Sequence, residues 1–220
     1  MLSLKKPVNL IIFDLDKTLV VTNTSFAFCK YLYRRKILSL GRMFLALFYS
    51  VKYHLFKLSL EDLHRQVFKR MLKGFSLDLL EKEALLFFPE FIKKSLYFPV
   101  VSALRLAQQL GHYTVILSNS PAFLVGPIAN FFAVDEWGAT IYHVDKDRCL
   151  CNIAELMEGT KKAQETLKIA NRLGLTRESI TIYTDSYHDL PLLLEAGESI
   201  VVNPDAKLLQ IAKKHHWRIL

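Results

Sequence analysis

Three features of this 220-residue chain predict an α/β fold. Short, uninterrupted apolar runs recur at 10–13, 113–117, 180–183 and 199–202, as in strands buried on both faces. Helical stretches separate the later runs, at 100–110, 121–131, 160–173 and 190–196, and Gly111, Gly174 and Gly197 follow three of them as stops. Residues 22–98 show no such alternation and read as helices alone. Together these predict a parallel, Rossmann-like sheet with helices on both faces and an all-helical cap inserted after the first strand.

Taken in order, the first strand spans 10–13 and ends at Asp14. Helices over roughly 24–36, 39–57, 60–73 and 76–97 then build the insertion, with Ser59 as an N-cap and Pro89 interrupting the last. Residues 140–153 form two short runs around a polar DKD turn and predict a small β-hairpin appended to the sheet. The expected division is a catalytic core of 1–21 and 99–220 and a cap of 22–98.

Composition narrows the class. With 51% hydrophobic and 23% charged residues the chain has material for a sizeable core, which excludes a disordered segment. Cys29, Cys149 and Cys151 offer no disulfide framework and no zinc spacing, so reduced thiols and a cytoplasmic location are expected. The apolar run before Asp14 is too short for a signal peptide. The formal charge is +8, and residues 22–75 alone carry +9. The excess therefore belongs to the cap.

Ligands in an open parallel sheet bind beyond the carboxyl ends of the strands. DLDKT (14–18) follows the first strand, LSNSP (117–121) ends the second, and DSYHD (185–189) follows the third. GTKK (159–162) opens the helix ahead of that third strand. Carboxylates converging at one edge repel one another and call for a hard cation, and an all-oxygen set favours Mg²⁺. Ser118 with the amides ahead of the following helix makes an anion site, and a lysine would hold a phosphate charge. Metal, anion pocket and lysine describe phosphoryl-transfer chemistry.

The order and spacing of these four motifs resemble the haloacid dehalogenase-like hydrolase superfamily. The position of the helical insertion is similar to subfamily IB, which contains phosphoserine phosphatases and a bacterial phosphatidylglycerophosphatase. The resemblance implies Asp14 as a nucleophile forming an aspartyl-phosphate and Asp16 as general acid and base. It implies Mg²⁺ held by the Asp14 carboxylate, the Asp16 carbonyl and Asp185, with Asp189 orienting waters or the lysine. Thr18 would support the loop, Ser118 and Asn119 would bind phosphate, and Asn23 would complete the substrate-binding set. Lys162, three residues after Gly159, fits the usual spacing better than Lys161. Lys17 stands where glycine is common. Asn23 replaces a glutamate that holds the substrate ammonium in phosphoserine phosphatases, which weakens the case for phosphoserine.

The stretch 37–51 contains Arg42 as its one charge and spans about 22 Å as a helix, short of a bilayer core. Basic residues flank it, so cap residues 30–57 suit an anionic membrane surface and a lipid phosphomonoester such as phosphatidylglycerophosphate. The competing expectations are an ordinary cap core, with a soluble metabolite phosphatase or phosphotransferase acting through the same residues, and a non-catalytic phosphate-binding module. No nucleic-acid motif is present, and no nucleic-acid partner is expected.

Overall fold

A computed structural model describes residues 8–42, 44, 45, 48 and 60–220. Its strands are β1 (Leu10–Phe13), β2 (Tyr113–Pro121), β3 (Glu136–Val144), β4 (Leu150–Glu155), β5 (Ile180–Thr184), β6 (Glu198–Val201) and β7 (Arg218–Ile219). They form one sheet of order β4-β3-β2-β1-β5-β6-β7. All neighbours run parallel except β3 and β4.

The two-residue period of a strand explains how four-residue β1 anchors both sides of the sheet. Ile11 and Phe13 point into one core with Ile116, while Leu10 and Ile12 join Val115, Ile180 and Ile182 in another. The second core is closed by α6 (Gly159–Leu173) and α8 (Ala206–Lys214), which contribute Ile169 and Leu208.

The first core continues without a break into helices drawn from 22–98. These are α1 (Thr24–Arg34), α2 (Leu60–Val67, extended by a π-turn over Phe68–Leu72) and α3 (Leu77–Ser95). Phe28 of α1 packs edge-on against Phe87 of α3 with ring centroids 5.4 Å apart. Buried Glu83 accepts hydrogen bonds from Tyr31 (3.0 Å) and Arg35 (3.2 Å), tying α3 to α1. The segment leaves and rejoins the sheet through adjacent strands of chain, where the Val21 amide donates to the Ser95 carbonyl (2.8 Å) and the Tyr97 amide to the Leu19 carbonyl (2.9 Å).

Several boundaries differ from the sequence expectation. Pro89 does not interrupt α3. Leu80, Ala84, Phe87, Phe91 and Ile92 all bury their side chains from that helix, and such burial outweighs the roughly 3 kcal/mol a helical proline costs. The run 113–117 continues to Pro121, with a register shift between Ser118 and Pro121. The expected hairpin strand begins at Glu136 and is an integral neighbour of β2 rather than an appendage. Helix α7 (Leu190–Leu193) stops short of Ala196, and β7, two residues long, was not expected from the sequence. Helices α4 (Phe98–Gln109) and α5 (Ala122–Phe132) lie where periodicity put them. The expected helix 39–57 falls largely outside the described residues, as does Ser59. No helix among the described residues is long and apolar enough to cross a membrane.

Candidate active site

The register of β1 between β2 and β5 aligns Phe13 with Ile116 on one side and Tyr183 on the other. One residue further, the Asp14 amide still donates to the Tyr183 carbonyl (2.9 Å). The segments carrying Asp14, Ser118 and Asp185 therefore leave the sheet at the same edge.

At that edge the Lys162 ammonium, 1% exposed, donates to Asp14 Oδ1 (2.7 Å) and to Asp189 Oδ2 (2.8 Å). Thr184 Oγ1 donates to the same Asp189 oxygen at 2.7 Å. Asp189 stands at the start of α7, but its side chain makes no capping bond there and is committed to the lysine and threonine. Lys162 reaches the cluster. Lys161 points away and pairs with Glu155 (3.1 Å) and Glu165 (2.9 Å).

Gly159 makes the lysine's approach possible. A Cβ there would sit 1.9 Å from the His188 carbonyl oxygen, so only glycine lets the first turn of α6 press against the loop that carries Asp189. Gly159→Ala is expected to lower the urea unfolding free energy by more than about 2 kcal/mol, because backbone must separate from backbone. A variant with an unchanged midpoint would show that this close approach is dispensable.

Asp16 is held differently. Its Oδ1 accepts from the Thr24 amide (2.6 Å) at the first residue of α1, and its Oδ2 from Ser120 Oγ (2.6 Å). Ser120 Oγ also lies 2.9 Å from Ser25 Oγ. The Ser118 hydroxyl, fully buried, accepts from the Ser120 amide at 3.1 Å. Thr140 steadies this irregular end of β2: its hydroxyl donates to the Asn119 carbonyl (2.7 Å) and accepts from the Met157 amide (3.3 Å). Thr18 is buried with its hydroxyl 3.5 Å from Asp14 Oδ2. Lys17 has φ +59°, a left-handed conformation that glycine adopts without strain. Asn23 stands apart. It is exposed, and its side-chain oxygen caps α1 through the Phe26 amide (2.8 Å).

The electrostatics are unbalanced. Burial pushes the Asp14 carboxyl well above the usual carboxylate range; Lys162 opposes this, while Asp189 and Asp185 reinforce it. Asp185 is pushed up to about 7, by burial first, with Asp189 and Asp16 adding to the shift and Lys17 and Lys162 opposing it. Burial works against the Lys162 charge too, but Asp14 and Asp189 outweigh it and hold the ammonium above the ordinary lysine value. Buried carboxylates outnumber the buried ammonium.

Ser120, Ser25, Thr24 and Thr184 were not singled out from the sequence. Ser120 lies two residues beyond Ser118 and Thr184 immediately precedes Asp185, spacings that could have flagged both. Nothing in the sequence signals that the Thr24 backbone amide reaches Asp16.

A doubly wound sheet with paired aspartates at the end of β1, a serine at the end of β2, and a buried lysine and aspartate beside them defines a hydrolase-like α/β site. A family model for haloacid dehalogenase-like hydrolases matches residues 11–194, and the chain belongs to that family. It is 39% identical over 67 residues to phosphoserine phosphatase SerB1 of Mycobacterium tuberculosis, a match covering 30% of this chain and 22% of that protein's length. The histidinol-phosphatase of Neisseria meningitidis is 28% identical over 237 residues, covering 96% of this chain and 98% of the relative. Among solved structures, a Bordetella pertussis protein of unknown function superposes with TM-score 0.83 at 23% identity, covering 97% of this chain and 98% of the other. A phospho-aspartyl intermediate analogue of phosphoserine phosphatase superposes with TM-score 0.71 at 19% identity, covering 97% and 93%. At these identities the structures share the fold.

Proposed function

We propose that the protein is a Mg²⁺-dependent phosphatase that cleaves phosphomonoesters through an aspartyl-phosphate on Asp14. The observation that carries this reading is the pairing of a buried Asp14, bonded to Lys162 through one oxygen, with an Asp16 oriented by the Thr24 amide and Ser120. Asp14 would attack phosphorus in line, and Asp16 would protonate the departing alkoxide and then take a proton from the attacking water. Lys162 would hold Asp14 in place and offset phosphoryl charge. Ser118 and Asn119 lie at the β2 end where the phosphoryl oxygens would rest. In this reading 1–21 and 99–220 form the catalytic core and 22–98 a cap over it, in the manner of subfamily IB, and the enzyme works in the cytoplasm.

The donor set fits a hard divalent ion. No group of three or more His, Cys, Asp or Glu side chains among the described residues is arranged to hold a metal. The set inferred from sequence is instead two carboxylates, Asp14 and Asp185, with the Asp16 carbonyl. The excess of buried carboxylate over ammonium is what a cation would relieve. Mg²⁺ bound there would neutralise phosphoryl charge. Without metal, Asp14 and Asp185 both have raised values in the folded state, so their contribution to stability is full at low pH and is lost as pH rises, for Asp185 through about 7. The melting temperature of chelated protein should therefore fall between pH 5 and pH 8, and the gain on adding Mg²⁺ should grow over the same range. A metal-induced gain that is largest at pH 5 would contradict this assignment.

Phosphate release from a panel of phosphoserine, histidinol phosphate, sugar phosphates and detergent-dispersed lipid phosphates tests the reaction itself. Release that persists in excess chelator would overturn the metal-dependent reading. Turnover without a phosphoenzyme trappable on Asp14 would overturn the covalent one.

The exposed side chains of Leu40, Phe44 and Phe48 favour a second reading of the cap. Their four-residue spacing, read as a helix, would place them on one face beside a basic segment, as at an anionic lipid surface. The substrate would then be a lipid phosphomonoester. Flotation with anionic vesicles at low salt decides: protein that stays out of the lipid fraction removes the membrane role and leaves a soluble metabolite phosphatase.

A further inference from the structure

A cavity of about 120 Å³ lies between α1, the α2–π-turn segment, the start of α3, and the end of β2 with the start of α5. Phe28, Leu32, Met71, Leu80, Phe123 and Leu124 supply much of its wall. No Lys, Arg, Asp or Glu is among its described lining residues, and His64 is the one titratable nitrogen base among them. Two lining residues, Ser25 and Asn119, connect it to the catalytic edge. Ser25 Oγ lies 2.9 Å from Ser120 Oγ, which donates to Asp16, and Asn119 sits between Ser118 and Ser120. The Asn119 side-chain oxygen is buried and has no hydrogen-bond partner within the described structure.

We propose that this cavity receives the alcohol portion of the substrate, and that this portion is a compact apolar group: one aryl ring or a short branched alkyl chain. The inference rests on the phosphomonoesterase reading and deepens it. Asp16 is the residue assigned to protonate the leaving oxygen, so the carbon bonded to that oxygen must lie close to Asp16. Ser120 and Ser25 lead from Asp16 to the cavity wall. A buried amino or carboxylate group placed there would lose its hydration with only His64, Tyr142, Ser25 and Asn119 as polar side chains among the described lining residues, a cost that disfavours amino-acid alcohols. Size sets the other limit, since an engineered cavity of about 150 Å³ lined by Leu, Ile and Phe holds one benzene molecule. Cys29, mostly buried on the same wall, has its thiol pushed up to about 11 by burial and acts there as a small apolar surface.

The test compares kcat/KM for benzyl phosphate and 3-methylbutyl phosphate with that for glycerol 3-phosphate and O-phosphoserine in the presence of Mg²⁺. All four release alkyl alcohols, so leaving-group acidity is broadly matched. Apolar pockets discriminate by about 10–200-fold per methylene, so benzyl phosphate should exceed both polar esters by at least about 100-fold. Filling the cavity with Cys29→Phe should collapse the preference for benzyl over methyl phosphate at least tenfold, on the order of one methylene's discrimination. Leu124→Phe serves as a second filling variant if the first fails to fold. Binding of 4-fluorobenzyl alcohol to the wild-type protein, followed by ¹⁹F NMR and lost in the filled variant, reads the cavity without turnover.

Release from every ester with no apolar preference, or a preference that survives filling, overturns the cavity assignment and leaves the hydrolase intact. Failure of the fluorinated alcohol to bind also overturns it. Release from none of the esters, with the alcohol still bound, overturns the hydrolase reading and with it the substrate assignment.

Discussion

Asp14→Asn is expected to lower kcat/KM for phosphate release by at least about 10⁴-fold, the scale on which loss of a covalent nucleophile is felt. The same change should leave the metal-free protein as stable as the parent at neutral pH, or more so. Burial raises the Asp14 carboxyl well above its unfolded value, so its ionised form opposes folding once pH exceeds that value. A neutral amide of the same shape removes that penalty and keeps an acceptor for Lys162. Adding Mg²⁺ should reverse the order, because the parent gains a ligand-linked increment that the variant lacks. Melting curves of both proteins with and without Mg²⁺, alongside phosphate release, check the whole pattern. An Asn variant that turns over normally would remove Asp14 from the chemistry. One that melts far below the parent without metal would show that the carboxylate is structural.

Lys162→Met carries the largest expected effect on stability. The methionine fills a similar volume but leaves Asp14 and Asp189 facing each other with no ammonium between them. Breaking a buried ion cluster by removing one partner costs about 3–5 kcal/mol. Urea unfolding at pH 8 should show that loss in the metal-free protein. The loss should shrink at pH 5, where the raised carboxyl of Asp14 can take up a proton. Adding Asp189→Asn should recover part of the stability while activity stays low. Equal destabilisation at both pH values would point to packing rather than charge. Lys161→Met, on the outer face of α6, should change stability little, as expected for a partly exposed ion pair.

Asp14, Asp16, Ser118, Lys162, Asp185 and Asp189 were legible because each stands at a strand or helix end that its own neighbours define. An apolar run stops at Asp14, another ends in the threonine before Asp185, and a glycine opens the helix that carries Lys162. Local pattern suffices for such positions. Ser120 and Thr24 were harder to read. Ser120 meets Asp16 across 104 residues, beyond any local window, and Thr24 meets it eight residues along the chain through a backbone amide, which residue type does not reveal. Pro89 misled for a related reason. Its local cost is plain in the sequence, whereas the burial of the α3 face that offsets it depends on α1 and the sheet.

By itself, then, the amino-acid sequence determined the α/β class, the order of the elements, the insertion after β1 and the family's four motifs. These follow from local periodicity and from residue types at element ends. Only the tertiary structure decided how Lys162 bridges Asp14 and Asp189 and that Gly159 admits it by pressing α6 against the loop that carries Asp189. It alone also set a mostly apolar cavity whose wall reaches Asp16 through Ser25 and Ser120. Each of these is a matter of distance between segments remote in the chain, and such distances are settled by packing rather than by pattern.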